Sequence, residues 1–525
     1  MVLDRGSTFR HREEFIFRSL STKYYDKGQA LKKKKKLFNP SPGRCLSVPH
    51  IGPCIANIAL GTRNKKTMAK LLEPVVLGDD IPLRNRICMG SMTRNRCTDA
   101  KKLTEASVKY YVDRAREGPG SMVAEGTFIS PHGAEWPHAP VMYNADHAAA
   151  WQKVTRAVHE VGGKILFQPW HAGRIQNEEM PMLKETGYPV YAPSKVPAKG
   201  GKFRTLEGVP GYTRNLTEIE DPKEFVEQFR WSVVLAKEAG FDGIELLSQG
   251  CVYGKPSFRN QMWAKEIQLT LFSVFLRGYL LHNFLCSHAN TRTDAYGGSV
   301  ENRCRFPLEV LDAIIDVWGS RAVGIKICPP DDYNDSTVSY EEMTEIYTYY
   351  IKELMRRDLA FINLSRRGCD VGRETDEYFR SPPRPAGKEL PPGYEPIAQF
   401  GSLIKYPGSR TMLMVNHEYT VEEAEKLIKE EKIDLVTFAR PFIYNPVGIQ
   451  SEFIRIAVSD TYYRTSSAGS NEVSLSPPTI EAGGSTMGRF RIQMRITTTG
   501  PLGVRLLLES SILVDEYKLV YEGCS

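Results

Sequence analysis

No two cysteines in this 525-residue chain stand two residues apart. Ten thiols scattered without a C-x-x-C spacing exclude the usual ligand sets of structural zinc and of iron–sulfur clusters, so no metal is expected. They fit free thiols in a reducing compartment. An apolar leader is also missing. No hydrophobic run follows the first charges, and Asp4, Glu13, Glu14 and Asp26 break the acid-poor pattern of a transit peptide. The most apolar stretch, Ile267 to Cys286, is interrupted by Arg277, His282 and Asn283, which excludes it as a membrane span. The expectation is a cytoplasmic protein with no membrane partner.

Positive charge is scarce where a fold would need it for a polyanion. The formal net charge is +7, yet residues 1–67 alone hold 15 Lys and Arg against 4 Asp and Glu, including the run Lys32 to Lys36. The remainder is therefore slightly acidic, and no nucleic-acid partner is expected. That basic extension mixes Lys, Pro, Gly and Ser without a sustained period and is expected to be disordered or non-native.

Regular patterning starts at Met68 and runs to Pro446. Short apolar runs alternate with amphipathic stretches, as repeated βα units of a parallel sheet require. The strand candidates are Arg86–Met89, Ser121–Glu125, Lys164–Gln168, Gly243–Leu246, Ala322–Ile327, Ala360–Leu364, Met412–Val415 and Leu435–Phe438. Eight is the barrel number. Helix starts are legible between them. Asp221-Pro222-Lys223-Glu224 combines a capping side chain, a proline at the first helical position and an acid in the first turn; Gly240 ends that helix. Thr420-Val421-Glu422-Glu423 repeats the capping pattern. Past residue 447 the periodicity fades into a Ser/Thr/Gly-rich stretch, and no domain is assigned to residues 447–525. The fold class expected is α/β, a (β/α)8 TIM barrel over residues 68–446 with terminal extensions.

Several motifs, in order, carry a resemblance. Asn85-Arg86-Ile87-Cys88-Met89-Gly90-Ser91-Met92-Thr93-Arg94 ends the first strand and Ala124-Glu125-Gly126-Thr127 the second. Phe167-Gln168-Pro169-Trp170-His171-Ala172-Gly173-Arg174 ends the third. Gly278-Tyr279-Leu280-Leu281 precedes the long run Asn290-Thr291-Arg292-Thr293-Asp294-Ala295-Tyr296-Gly297-Gly298. Phe438-Ala439-Arg440-Pro441-Phe442 closes the last βα unit. Over residues 71–446 the chain resembles the Old Yellow Enzyme family of NADH:flavin oxidoreductases and ene-reductases. Thr93 stands where the thiol-modulated branch has cysteine, so the other branch is the nearer.

The resemblance implies FMN as cofactor, NADPH or NADH as reductant and a small electron-poor alkene as substrate. It implies that Ser91 and Met92 lie under the flavin, that the Thr93 hydroxyl meets O4, and that Gly126 approaches the ring. A Gln amide offers both donor and acceptor, which suits Gln168 to the pyrimidine edge. Lys326 replaces the usual arginine near N1, keeping charge but not bidentate geometry. Asn416 and His417, by their backbone amides, with Ala439 and Arg440, would cradle the phosphate. Trp170 would line the substrate pocket, and Tyr279 would protonate the alkene as general acid. The Asn290–Gly298 run is read as a structural loop.

Two departures stand out. An unfamiliar segment, 251–277, interrupts the loop after the fourth strand, through a retained intron or a lid. Excising it places Leu247 and Gly250 where the family has a His/Asn or His/His pair that grips the substrate carbonyl. His417 and Glu418 also replace a commoner Gly-Gly. The alternative to an active ene-reductase is therefore an impaired FMN-binding or apo barrel. An isomerase-like role ranks last because Tyr279 is present.

Overall fold

The computed structural model describes residues 69–444, except 117, 135, 199–212, 250–278, 332–336 and 367–383, and beyond 444 only strands between 473 and 514. The basic extension, the 251–277 segment and Gly250 lie outside the described residues. Eight parallel strands close a barrel in chain order. They are β1 (Ile87–Met89), β2 (Ser121–Val123), β3 (Ile165–Phe167), β4 (Gly243–Ser248), β5 (Val323–Ile327), β6 (Phe361–Ser365), β7 (Met412–Asn416) and β8 (Leu435–Phe438), which returns to β1. The expected (β/α)8 barrel is borne out, each strand matching its candidate stretch to within two residues at either end. Strands such as β5 and β6 are buried at every position, because a parallel sheet is covered on both faces.

Helices α1 (Glu105–Ala115), α2 (Ala145–Glu160), α3 (Pro222–Glu238), α4 (Val300–Trp318), α5 (Tyr340–Met355), α6 (Pro396–Ile404) and α7 (Val421–Lys429) alternate with the strands. The caps work as read: the Asp221 carboxylate accepts the Lys223 N–H at 2.9 Å, and the Thr420 hydroxyl accepts the Glu423 N–H at 3.1 Å. Ser299 and Ser339 cap α4 and α5 in the same manner. The inner faces of these helices bring Trp151, Phe229, Leu311 and Ile351 onto the outside of the sheet, forming the larger core.

A second core fills the barrel. Cys88, Val123, Leu166, Phe361, Met414 and Leu435 point inward and meet Leu77, Ile81 and Leu83 from the hairpin Val75–Leu77/Ile81–Leu83. Arg321 fastens that hairpin by hydrogen bonds to Asp79 at 3.1 Å and to the Leu359 carbonyl at 2.6 Å. The N-terminal end of the barrel is thus plugged, which leaves the C-terminal strand ends for chemistry. Further on, strands Val473–Leu475, Thr479–Ala482, Phe490–Thr499 and Arg505–Val514 form their own antiparallel sheet. No domain was expected there, since its alternation is diluted by a Ser/Thr-rich composition.

Candidate active site

Strand register decides which side chains look into the barrel. Phe361 and Met414 belong to the inner core, so residues in register or two apart from them on neighbouring strands share that face. Lys326 lies opposite Leu247 on one side and Asn363 on the other. Glu245 lies two residues below Leu247. Gln168, Glu245, Lys326 and Asn363 are each no more than 1% exposed. Gln168 Nε2 donates to Glu245 Oε1 at 2.7 Å, and Asn363 Nδ2 donates to Glu245 Oε2 at 2.8 Å. Glu245 and Lys326 also both act electrostatically on Cys88, whose thiol burial pushes up to about 12.

The loops above this layer touch in sequence around the rim. The Gly90 N–H donates to the Phe438 carbonyl at 2.8 Å, joining the β1 and β8 loops. Any Cβ on Gly90 would come within 2.7 Å of Thr437 Cγ2 and 3.4 Å of Ala439 Cβ. This contact sets the Ser91–Thr93 segment beside Ala439 and Arg440. The Arg94 N–H donates to Glu125 Oε2 at 2.8 Å, tying the β1 loop to β2, and the Thr127 N–H donates to the Gln168 carbonyl at 2.9 Å, tying β2 to β3. Ser91, Met92 and Thr93 are buried. Thr93, Gln168, Lys326 and Arg440 therefore belong to strand ends on one rim of one closed sheet.

Beside this layer, Trp170 stacks on Phe128 with centroids 4.0 Å apart and meets the Tyr279 ring edge-on at 4.4 Å. Tyr279 is buried and heads the short helix Leu280–Leu285, which is held by the Leu280 N–H donating to the His171 carbonyl at 3.0 Å. Leu247 packs into this same apolar cluster. The position aligned with a substrate-gripping histidine thus presents hydrocarbon. Ser248 and Gln249 are the polar residues that follow Leu247 in the chain. Ser248 faces outward, its Oγ 3.2 Å from the Tyr350 hydroxyl on α5, because adjacent strand residues point to opposite faces. Gln249 Oε1 accepts from Ser365 Oγ at 2.9 Å. The steric demand for glycine at 126 comes from Trp170, whose Nε1 would stand 2.8 Å from any Cβ there.

At the β7 loop the Asn416 side chain lies within hydrogen-bond distance of the Ser365 hydroxyl. His417 and Glu418 take φ of 76° and 58°, the left-handed conformation that two glycines would adopt without strain. The loop after the short helix is structural, as read. Arg292 donates to Asp294, Pro193 and Ile219, and Asn290 Nδ2 donates to the Phe284 and Tyr296 carbonyls at 2.9 and 2.8 Å. Beside Trp170, His171 Nε2 donates to His132 Nδ1 at 2.9 Å, since the Gly173 N–H occupies His171 Nδ1. Burial holds both imidazoles neutral, His132 down to about 4. Among the described residues no His/Cys/Asp/Glu group is arranged to hold a metal, and no helix is long and apolar enough to cross a membrane.

Buried polar atoms test whether a flavin fits. Among the described residues, Gln168 Oε1, Asn363 Oδ1, Thr93 Oγ1 and Ser91 Oγ have no hydrogen-bond partner. Leaving such groups buried and unpaired costs about 1–3 kcal/mol each, so a ligand with a polar heterocyclic edge suits them. A buried lysine on the same face suits the electron-rich side of that ring. Glu245, Asn363 and Ser365 were missed in the sequence. Their signal was the one that flagged Lys326, a polar residue inside a strand buried on both faces.

The family-wide sequence pattern of the NADH:flavin oxidoreductase / NADH oxidase family matches residues 70–251 and 275–450, with its break inside the 251–277 segment. A probable flavin mononucleotide-dependent alkene reductase of Leishmania infantum is 30% identical over 78% of this chain and 98% of its own length. 12-Oxophytodienoate reductase 7 of Oryza sativa subsp. japonica is 30% identical over 69% and 83%. The Old Yellow Enzyme homologue of Zymomonas mobilis superposes with a TM-score of 0.58 at 26% identity, over 74% of this chain and 93% of that one. Morphinone reductase in complex with tetrahydroNAD gives 0.56 at 28% identity, over 74% and 91%. The chain belongs to the NADH:flavin oxidoreductase / NADH oxidase family. It is an oxidoreductase of an FMN-dependent group whose reductant is a nicotinamide.

Proposed function

We propose that this protein is a cytoplasmic ene-reductase that uses NADPH or NADH to reduce the activated C=C bond of an α,β-unsaturated carbonyl compound. The observation that carries the reading is a set of buried atoms without a partner among the described residues, Thr93 Oγ1, Gln168 Oε1 and Asn363 Oδ1, at one rim with Lys326. Bound there, FMN would supply the two-electron chemistry, taking hydride from the nicotinamide and passing it to the alkene.

The chain's own residues do the rest. Thr93 and Gln168 hold the ring edge and Lys326 gives a cation near N1, while Ser91, Met92 and Gly126 flank the ring. Asn416, His417, Ala439 and Arg440 hold the phosphate. Tyr279, set against Trp170, places a phenolic proton over the apolar pocket and gives it to the substrate carbon. Trp170, Phe128 and Leu247 exclude water from that place.

Leu247 favours a second reading, an FMN-binding barrel with impaired turnover. Losing an oxyanion-type donor costs roughly 10²–10³ in rate. Anaerobic stopped-flow separates the two. The first reading expects flavin reduced by NADPH or NADH and then reoxidised by a cyclic enone faster than by buffer alone. Reduction without acceleration by any enone, nitro compound or quinone would leave the impaired barrel.

A further inference from the structure

The stretch that carries Ser91, Met92 and Thr93 has no regular structure of its own, since Gly90 to Thr98 lie in neither strand nor helix. Contacts to other elements hold it. The Gly90 N–H donates to the Phe438 carbonyl and the Cys97 N–H to the His138 carbonyl, each at 2.8 Å. Between them the Arg94 N–H donates to Glu125 Oε2 at 2.8 Å, and the Asn95 N–H meets the same carboxyl. Asn95 turns the chain there with a φ of 52°. Glu125 is itself held from α1, where the Tyr111 hydroxyl accepts the Glu125 N–H at 2.8 Å and lies 3.5 Å from Oε1. Tyr111 is buried against Trp151.

Hydrocarbon of similar size would fill the place of Glu125, 2% exposed, without stripping water from an acid, so its oxygens rather than its bulk distinguish it. The Arg94 N–H and the Thr93 carbonyl form one planar peptide unit, so fixing that N–H fixes the last backbone torsion of Thr93. Branching at Cβ then restricts the side chain to few rotamers. Thr93 Oγ1 is buried and without a partner among the described residues. A chain of contacts from α1 through Tyr111, Glu125 and the Arg94 N–H sets its place. An O–H donor at a ring carbonyl strengthens as that oxygen gains electron density, which two-electron reduction of a flavin brings. We propose that Glu125 is a positioning residue: acting through the Arg94 N–H, it fixes the Thr93 hydroxyl against the flavin carbonyl and so sets how strongly the site prefers reduced over oxidised FMN. The inference rests on the FMN reading of this site.

The readout is the ratio of affinities for reduced and oxidised FMN, obtained from the reduction potential of flavin bound to the full chain against that of free FMN. The comparison is made at about pH 6, where the carboxyl that burial pushes up to about 7 keeps its proton and substitution removes no charge. Glu125→Met, which keeps bulk and removes the acceptor, should lower the preference for reduced FMN by about 3–10-fold, the worth of one hydrogen bond. Glu125→Gln, which keeps a carbonyl for the Arg94 N–H, should stay within about 2-fold of the parent. With Thr93→Ala already present, Glu125→Met should change the ratio by less than about 2-fold, because the hydroxyl it positions is gone. Tyr111→Phe, which removes the hydroxyl against Glu125 and keeps the ring, takes the place of Glu125→Met in the cycle if that variant does not fold, with the same direction expected. A merely structural role would weaken both redox forms alike. An equal change with and without the Thr93 hydroxyl, or no change in either background, overturns the proposal. Failure of the unaltered protein to bind FMN at all would instead overturn the assignment of the site.

Discussion

Replacing Glu125 by glutamine should change how the stability of this barrel depends on pH, and the size of the effect follows from one side chain. Glu125 is 2% exposed behind β2. Burial pushes its carboxyl up from 4.5 to about 7, against the opposing pull of the Arg94 N–H, the Arg94 charge and Tyr111. Between those two values the folded chain keeps a proton that the unfolded chain has released. More protons are bound in the folded state, so stability falls as pH rises through this window. The neutral acid's contribution is fully present below pH 4.5 and is lost above about 7. The shift corresponds to about 3 kcal/mol, at 1.36 kcal/mol per unit. Glutamine does not titrate and can still accept the Arg94 N–H. His132 and His147, both held down to about 4 by burial, titrate in the opposite sense but do so in both chains and cancel in the difference. Urea denaturation of parent and variant across this range should show the variant gaining up to about 3 kcal/mol relative to the parent on going from acid to mildly alkaline pH. A protonated-carboxyl infrared band present only in the parent should vanish over the same interval. Parallel stability curves would refute the assignment of a neutral acid at 125.

Other changes probe the rim directly. Leu247→His puts a donor into the cluster with Trp170 and Tyr279 and should raise kcat/KM on a cyclic enone by about 10-fold or more, read as enone-driven flavin reoxidation. Tyr279→Phe should slow that half-reaction by about 10²–10⁴ while leaving reduction by the nicotinamide unchanged; equal loss in both halves would argue for a packing role alone. His417→Gly with Glu418→Gly removes two left-handed non-glycine residues and a carboxylate beside the proposed phosphate cradle. Glycine's own chain entropy offsets part of the relief, so a stability gain of up to about 1 kcal/mol is expected, with tighter FMN binding by fluorescence titration. Unaltered FMN affinity would remove this loop from the cradle.

Much of this protein is legible in its sequence, for local reasons. Strand and helix candidates follow from hydrophobic period, and the caps at Asp221 and Thr420 from residue types a few positions apart, both interactions that span one turn of chain. The order of motifs from Asn85 to Arg440 carries the family. The tertiary structure decided what depends on closure of the sheet. Glu245 meets Gln168 across 77 residues and Asn363 across 118, pairings that no spacing announces. It also decided which neighbour faces where: a shift of one residue turns a strand side chain to the other face, so Leu247 looks into the site and Ser248 toward Tyr350. Sequence patterns record forces between near neighbours, whereas the polarity of this site is set where distant strands converge.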